Sequence, residues 1–101
     1  MNRIVTPQGA CEISSLPGQG QVAVCHNFFI RDDQRGQGHA HTLKSAQRHA
    51  LHAMHYDYAI VTVASGNTAQ KAVLVQSGWQ KLTEFRNRRS SETTEMWGYA
   101  T

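Results

Sequence analysis

The stretch that leaves this chain the fewest options is Arg35-Gly36-Gln37-Gly38-His39-Ala40. It is reached from the apolar run Phe28-Phe29-Ile30 and followed at once by a helical pattern. A strand that turns through glycines straight into a helix is built to hold an anion. The glycines let the backbone approach a ligand with no Cβ in the way. The first helical amides have no acceptor inside the helix, and the helix dipole adds positive charge at the same end. With the Arg35 guanidinium alongside, the turn suits a diphosphate.

The segments before it read as a meander. Arg3 to Thr6 is a short strand stopped by Pro7-Gln8-Gly9, Ala10 to Leu16 a second, and Gln21 to Ile30 a long third strand returning antiparallel through Pro17-Gly18-Gln19-Gly20. After the glycine turn the period changes. Leu43, Ala46, Ala50 and Met54, widened by Leu51, predict an amphipathic helix from Gly38 to His55, about 27 Å long at about 1.5 Å per residue.

The continuous apolar run Tyr58 to Ala64 predicts a strand covered on both faces, parallel to the one ending at Ile30 because a helix crosses between them. Asn67 is placed to cap a second helix with Gln70, with Ala69, Ala72, Val73 and Gln76 as its stripe and Gly78 as its end. Trp79 to Phe85 and Glu92 to Ala100 close the chain as two strands. The fold class is α/β, of the α+β kind: a mixed, mostly antiparallel sheet with two helices and a parallel central strand pair, in a single domain over residues 1–101.

Composition narrows the function. At 40% hydrophobic and 17% charged residues the chain is an ordinary globular one, and no apolar run approaches a membrane span. The first residues show no apolar leader with a small-residue cleavage site, so the expected location is cytoplasmic. Cys11 and Cys25 are expected as reduced thiols on adjacent strands, one residue out of opposition. The net charge of +3 is concentrated only in Arg86-Asn87-Arg88-Arg89, which argues against a nucleic-acid surface. His49, His52 and His55 fan around the helix with no cysteine or carboxylate to complete a ligand set, so no metal site is expected.

Two familiar glycine fingerprints fail. A dinucleotide turn needs a small residue where His41 stands, and a P-loop needs Gly-Lys-Ser/Thr. What remains, Arg35-x-x-Gly38-x-Ala40 after an apolar strand, with Asn67 and Gly78-Trp79 downstream, resembles the GNAT superfamily of acetyl-coenzyme A-dependent N-acetyltransferases over roughly residues 21–85. The resemblance implies that Arg35 and the backbone of Gly36, Gln37, Gly38, His39 and Ala40 hold the coenzyme pyrophosphate. It likewise implies that Phe28, Phe29 and Ile30 align the pantetheine arm and polarise the thioester, and that Asn67 helps fix the coenzyme.

Three departures qualify the resemblance. The family's first strand and first two helices, which wall the acceptor site, have no counterpart; a protein or peptide amine as acceptor, or a second subunit in a homodimer, would fit such an open site. His39 replaces a usual apolar residue, although its amide still suits phosphate. Leu74 stands where many members carry a proton-donating tyrosine, leaving Tyr56, Tyr58 and Ser77 as conceivable substitutes. For the base that deprotonates the amine, Glu12 and His26 are the candidates, carboxylate and imidazole being side chains suited to that task. The alternative reading is a catalytically degenerate binding or inhibitory module.

Overall fold

The computed structural model describes residues 2–101 as six strands and two helices: β1 (Asn2–Thr6), β2 (Gly9–Leu16), β3 (Gln19–Ile30), α1 (His39–Ala53), β4 (Tyr58–Ala64), α2 (Thr68–Gln76), β5 (Gln80–Arg86) and β6 (Thr93–Ala100), with a 3-10 turn at Asp32–Gln34. The strands form one sheet in the order β1-β2-β3-β4-β6-β5. Every neighbouring pair is antiparallel except β3 and β4, which run parallel because α1 crosses between them. The fold class is therefore the expected one. No described helix is long and apolar enough to cross a membrane.

Both helices pack on the same face of the sheet. Leu51 of α1 and Leu74 of α2 share one buried cluster with Ile13, Cys25, Ala59, Val61, Val63, Trp79 and Trp97. Each fully buried Leu or Ile contributes roughly 1.5–3 kcal/mol, and this cluster is what holds the helices to the strands. The other face carries no helix among the described residues. On β4, Ala59, Val61 and Val63 are buried, whereas Tyr58, Ile60 and Ala64 are half-buried and Thr62 is exposed. That corrects the expectation of a strand covered on both faces. The run is apolar at nearly every position, so its composition hides an alternation that only helix placement reveals.

The helix stripes also differ from expectation. On α1 the buried residues are Leu43, Lys44, Gln47 and Leu51, with Ala46, Ala50 and Met54 only half-buried. Two polar side chains occupy the inner face, which a pattern of apolar residues could not show. On α2 the buried pair is Val73 and Leu74, while Ala69, Ala72 and Gln76 are exposed. Val73, Leu74 and Val75 are consecutive and apolar, so the sequence does not specify which side turns inward.

Cys11 and Cys25 are buried free thiols. Ile13, not Cys11, faces Cys25, so the cysteines lie two residues out of opposition, not one. The slip arises beside the turn, where Leu16 faces Gln19 but Ser15 faces Ala23, so that Gly20, Gln21 and Val22 have no counterparts on β2. A second irregularity lies further along β3. Between the pairs Ala10↔Phe29 and Glu12↔His26, Asn27 and Phe28 together face the single Cys11, and Asn27 takes a left-handed φ of 52°. This is a β-bulge whose first residue does the work usually given to glycine.

Candidate functional site

The bulge builds the site. Parallel pairing between β3 and β4 covers only Val22↔Tyr58, Ala23↔Ala59 and Val24↔Ile60, although β3 runs on to Ile30 and β4 to Ala64. Beyond Val24 the strands diverge, and the β4-facing backbone of Phe28, Phe29 and Ile30 has no strand partner. Such groups need an acceptor or donor from elsewhere. On its other edge this segment is held tightly: a Cβ on Gly9 would meet the Phe29 carbonyl oxygen at 2.2 Å, so only glycine fits there.

The diverging strands open into a groove of about 420 Å³, a volume that suits a small ligand. Of the ten residues expected to bind cofactor, Phe28, Phe29, Ile30, Arg35, Gly36, Gly38, His39, Ala40 and Asn67 line it; Gln37 does not. Gly36 and Gly38 adopt φ of 77° and 80°, so a side chain at either would strain the turn. Gly38 is the N-cap of α1 and offers no side-chain acceptor, which leaves the amides of His39 and Ala40 free to face the groove.

Arg35 is not idle. Its Nε donates to the Ile30 carbonyl at 3.2 Å, and its Nη2 lies 3.2 Å from Asp32 Oδ1. Both members of that ion pair are well exposed, so it is weak and an anion in the groove competes with it readily.

The opposite wall is α2, whose Ala69, Gln70 and Val73 face the groove. Asn67 Oδ1 accepts from the Gln70 amide at 3.1 Å, the expected cap, so only its amide nitrogen remains available to a ligand. Lys71 locks this helix to the sheet. Its Nζ donates to Ser65 O at 2.9 Å and to Glu95 Oε2 at 3.1 Å, and Trp97 Nε1 donates to Glu95 Oε1 at 3.0 Å. Burial pulls the Glu95 pKa up, but the hydrogen bonds from Lys71 and Trp97 outweigh it and hold the carboxyl below its usual range.

Glu12 and His26 are direct partners across β2 and β3, on the open face. Asn27 joins them. Its Nδ2 donates to Glu12 Oε1 at 3.0 Å and stands 3.4 Å from His26 Nδ1. With amide protons facing Nδ1, the ring proton belongs on Nε2, which donates to Ser14 Oγ at 2.8 Å. Both ring nitrogens are thus occupied, and Glu12 Oε2 is the basic atom without a hydrogen bond among the described residues.

Among the described residues, none of the expected proton donors lines the groove. Leu74 is fully buried in the core. Tyr56 bonds Ser15 at 2.7 Å, Tyr58 lies over Gly98, and neither these nor Ser77 reach the groove lining. The sequence reading missed Gln34, His41 and the α2 wall; the only signal for the last was the distance of Ala69 and Val73 from the Asn67 cap.

Solved structures share this fold. IAA acetyltransferase from Bacillus cereus superposes with a TM-score of 0.84 at 9% identity, over 93% of this chain and 70% of that one. The ribosomal-protein-S18-alanine N-acetyltransferase of Escherichia coli gives 0.79 at 15% identity, over 92% and 61%. The chain has the GNAT fold. A third GNAT-fold protein, from Salmonella typhimurium and solved with its cofactor acetyl-CoA, gives 0.80 at 12% identity, over 92% and 57%. The chain spans about 60% of the length of several such structures. No family model and no curated protein sequence matches it.

Proposed function

We propose that the chain binds acetyl-coenzyme A and transfers the acetyl group to an amine by direct attack within a ternary complex. The observation that carries this is the groove, where unpaired strand backbone, a glycine turn and a helix N-terminus meet in one GNAT-fold cleft. Arg35 and the amides from Gly36 to Ala40 take the pyrophosphate. The free backbone of Phe28 to Ile30 takes the pantetheine arm, and one of its amides polarises the thioester carbonyl as an oxyanion hole. Asn67 contributes its remaining amide protons.

The acceptor approaches across the open face of the sheet, where Glu12 Oε2 receives its proton and His26 supports Glu12 through Asn27. That uncovered face fits a protein or peptide amine, with a second subunit completing the wall. Juxtaposing the substrates supplies most of the acceleration.

Calorimetry with acetyl-coenzyme A tests the binding step. Heat with a dissociation constant of about 1–100 μM is expected, in the usual range for such substrates. Absence of binding at millimolar coenzyme defeats the reading, and unchanged binding by Arg35→Glu defeats the pyrophosphate placement. Thiol release on a panel of peptides then measures turnover.

The buried Leu74 favours a second reading, a binding or inhibitory module that holds the coenzyme without transfer. Tight binding with no thiol release on any amine selects it.

A further inference from the structure

Behind the groove, between α1 and the sheet, lies a side chain that the reading above leaves unused. Lys44 is 2% exposed, and its ammonium has no hydrogen-bond acceptor among the described residues. It rests against two aromatic faces, 4.1 Å from the Trp79 ring centre and 5.2 Å from that of Phe28. The chain's other two lysines are both paired with carboxylates, Lys71 with Glu95 and Lys81 with Glu84. Buried cations are normally paired, so the unpaired one is the anomaly.

Burial pushes the Lys44 pKa down to about 8, against the opposing pull of Cys25 and Cys11. About a tenth of the molecules then carry a neutral amine at pH 7 and about half at pH 8, and a neutral amine is a nucleophile. Lys81 has the reverse environment, since its hydrogen bond to Glu84 raises its pKa.

Position adds to chemistry. The Phe28 ring that covers Lys44 also lines the groove, and it is only half-buried. On the far side Lys44 and Trp79 line a separate cavity of about 150 Å³ between α1 and the end of α2, with Ser45 and Ser77 in its wall. That space admits a two-carbon acyl group. One turn along α1, the side-chain amide of Gln47 is buried too, next to Cys11.

We propose that Lys44 is a self-acylation site, taking the acetyl group from a coenzyme thioester held in the groove when the Phe28 ring turns aside. The Lys44 nitrogen bonds to the carbonyl carbon, the carbon–sulfur bond breaks, and sulfur leaves as the coenzyme A thiolate, which takes up the proton shed by nitrogen. An uncharged amide with one donor and one acceptor replaces a buried cation. This inference rests on the acetyl-coenzyme A reading above.

The titratable and charged groups facing Lys44 are Cys11 on β2, Cys25 on β3, and His41 and Arg48 of its own helix; α2 presents only the uncharged Gln76 and Ser77. The rate therefore rises between pH 7 and pH 9. The test incubates the intact protein with acetyl-coenzyme A, maps its three lysines by peptide mass spectrometry, and runs calorimetry in parallel.

Acetylation of Lys44 ahead of Lys71 and Lys81 is expected, although Lys81 is far more exposed, with none at Lys44 from acetyl phosphate at the same concentration and loss of the modification in Lys44→Met. Coenzyme binding without modification of Lys44, modification of Lys81 first, or equal reaction with acetyl phosphate overturns the proposal and leaves the binding reading intact. Neither heat nor modification overturns both. The wild-type peptide map decides the matter even if the variant fails to fold.

Discussion

Arg35 shows how a residue can be legible by type and still differ in state. Its place beside the glycine turn followed from the sequence, but its pairing with Asp32 did not, because that contact depends on the 3-10 turn at Asp32–Gln34. Removing the competitor frees the guanidinium, so Asp32→Asn should tighten acetyl-coenzyme A binding about two- to fivefold at low salt, the scale of one exposed ion pair, with the gain fading at high salt. Calorimetry at two ionic strengths checks it. Lys44 was illegible for another reason: a lysine reads as solvent-facing, and only three-dimensional packing puts it inside. Lowering its pKa from 10.5 to about 8 corresponds to roughly 3 kcal/mol of charge penalty, which two aromatic faces offset by about 1–2 kcal/mol. The penalty is full below the folded value and fades as pH rises from about 8 towards 10.5. Lys44→Met is therefore expected to gain about 1–2 kcal/mol at pH 7 and progressively less above pH 8, read from urea midpoints.

At the scale of elements, strands and helices were readable because period and turn chemistry agree: the Asn67 cap and the limits of β4 came out of the sequence directly. The bulge in β3 did not, since its left-handed position is filled by asparagine and the strand around it is uniformly β-prone. Asn27→Val should cost about 1–2 kcal/mol for a β-branched residue at positive φ, whereas Asn27→Gly keeps the bulge and loses the side-chain links to Glu12 and His26. Denaturant melts of the two variants separate backbone from side chain. The α2 anchor makes a pH prediction. Glu95 has a depressed pKa in the folded state, so its contribution to stability is complete above the unfolded carboxyl value and is lost as pH falls through the folded one. Thermal melts should drop below about pH 4.5 in the wild type, and Glu95→Gln should lack that part of the decline.

At the scale of the whole molecule, the sequence showed the layers but not their one-sidedness. Val5, Phe29 and Phe85 remain exposed on the face without helices, and nothing in their local pattern distinguishes an inner from an outer apolar side. The three-pair parallel contact has a mechanical meaning. β1, β2 and β3 form one half-sheet and β4, β6 and β5 the other, stitched by three residue pairs and the helices above them. Coenzyme binding should slow hydrogen exchange at Phe28 to Ile30 by about tenfold or more, and Arg35→Glu should diminish that protection. A ligand lying along that seam acts as a clasp between two leaves, and its departure returns the molecule to a hinge.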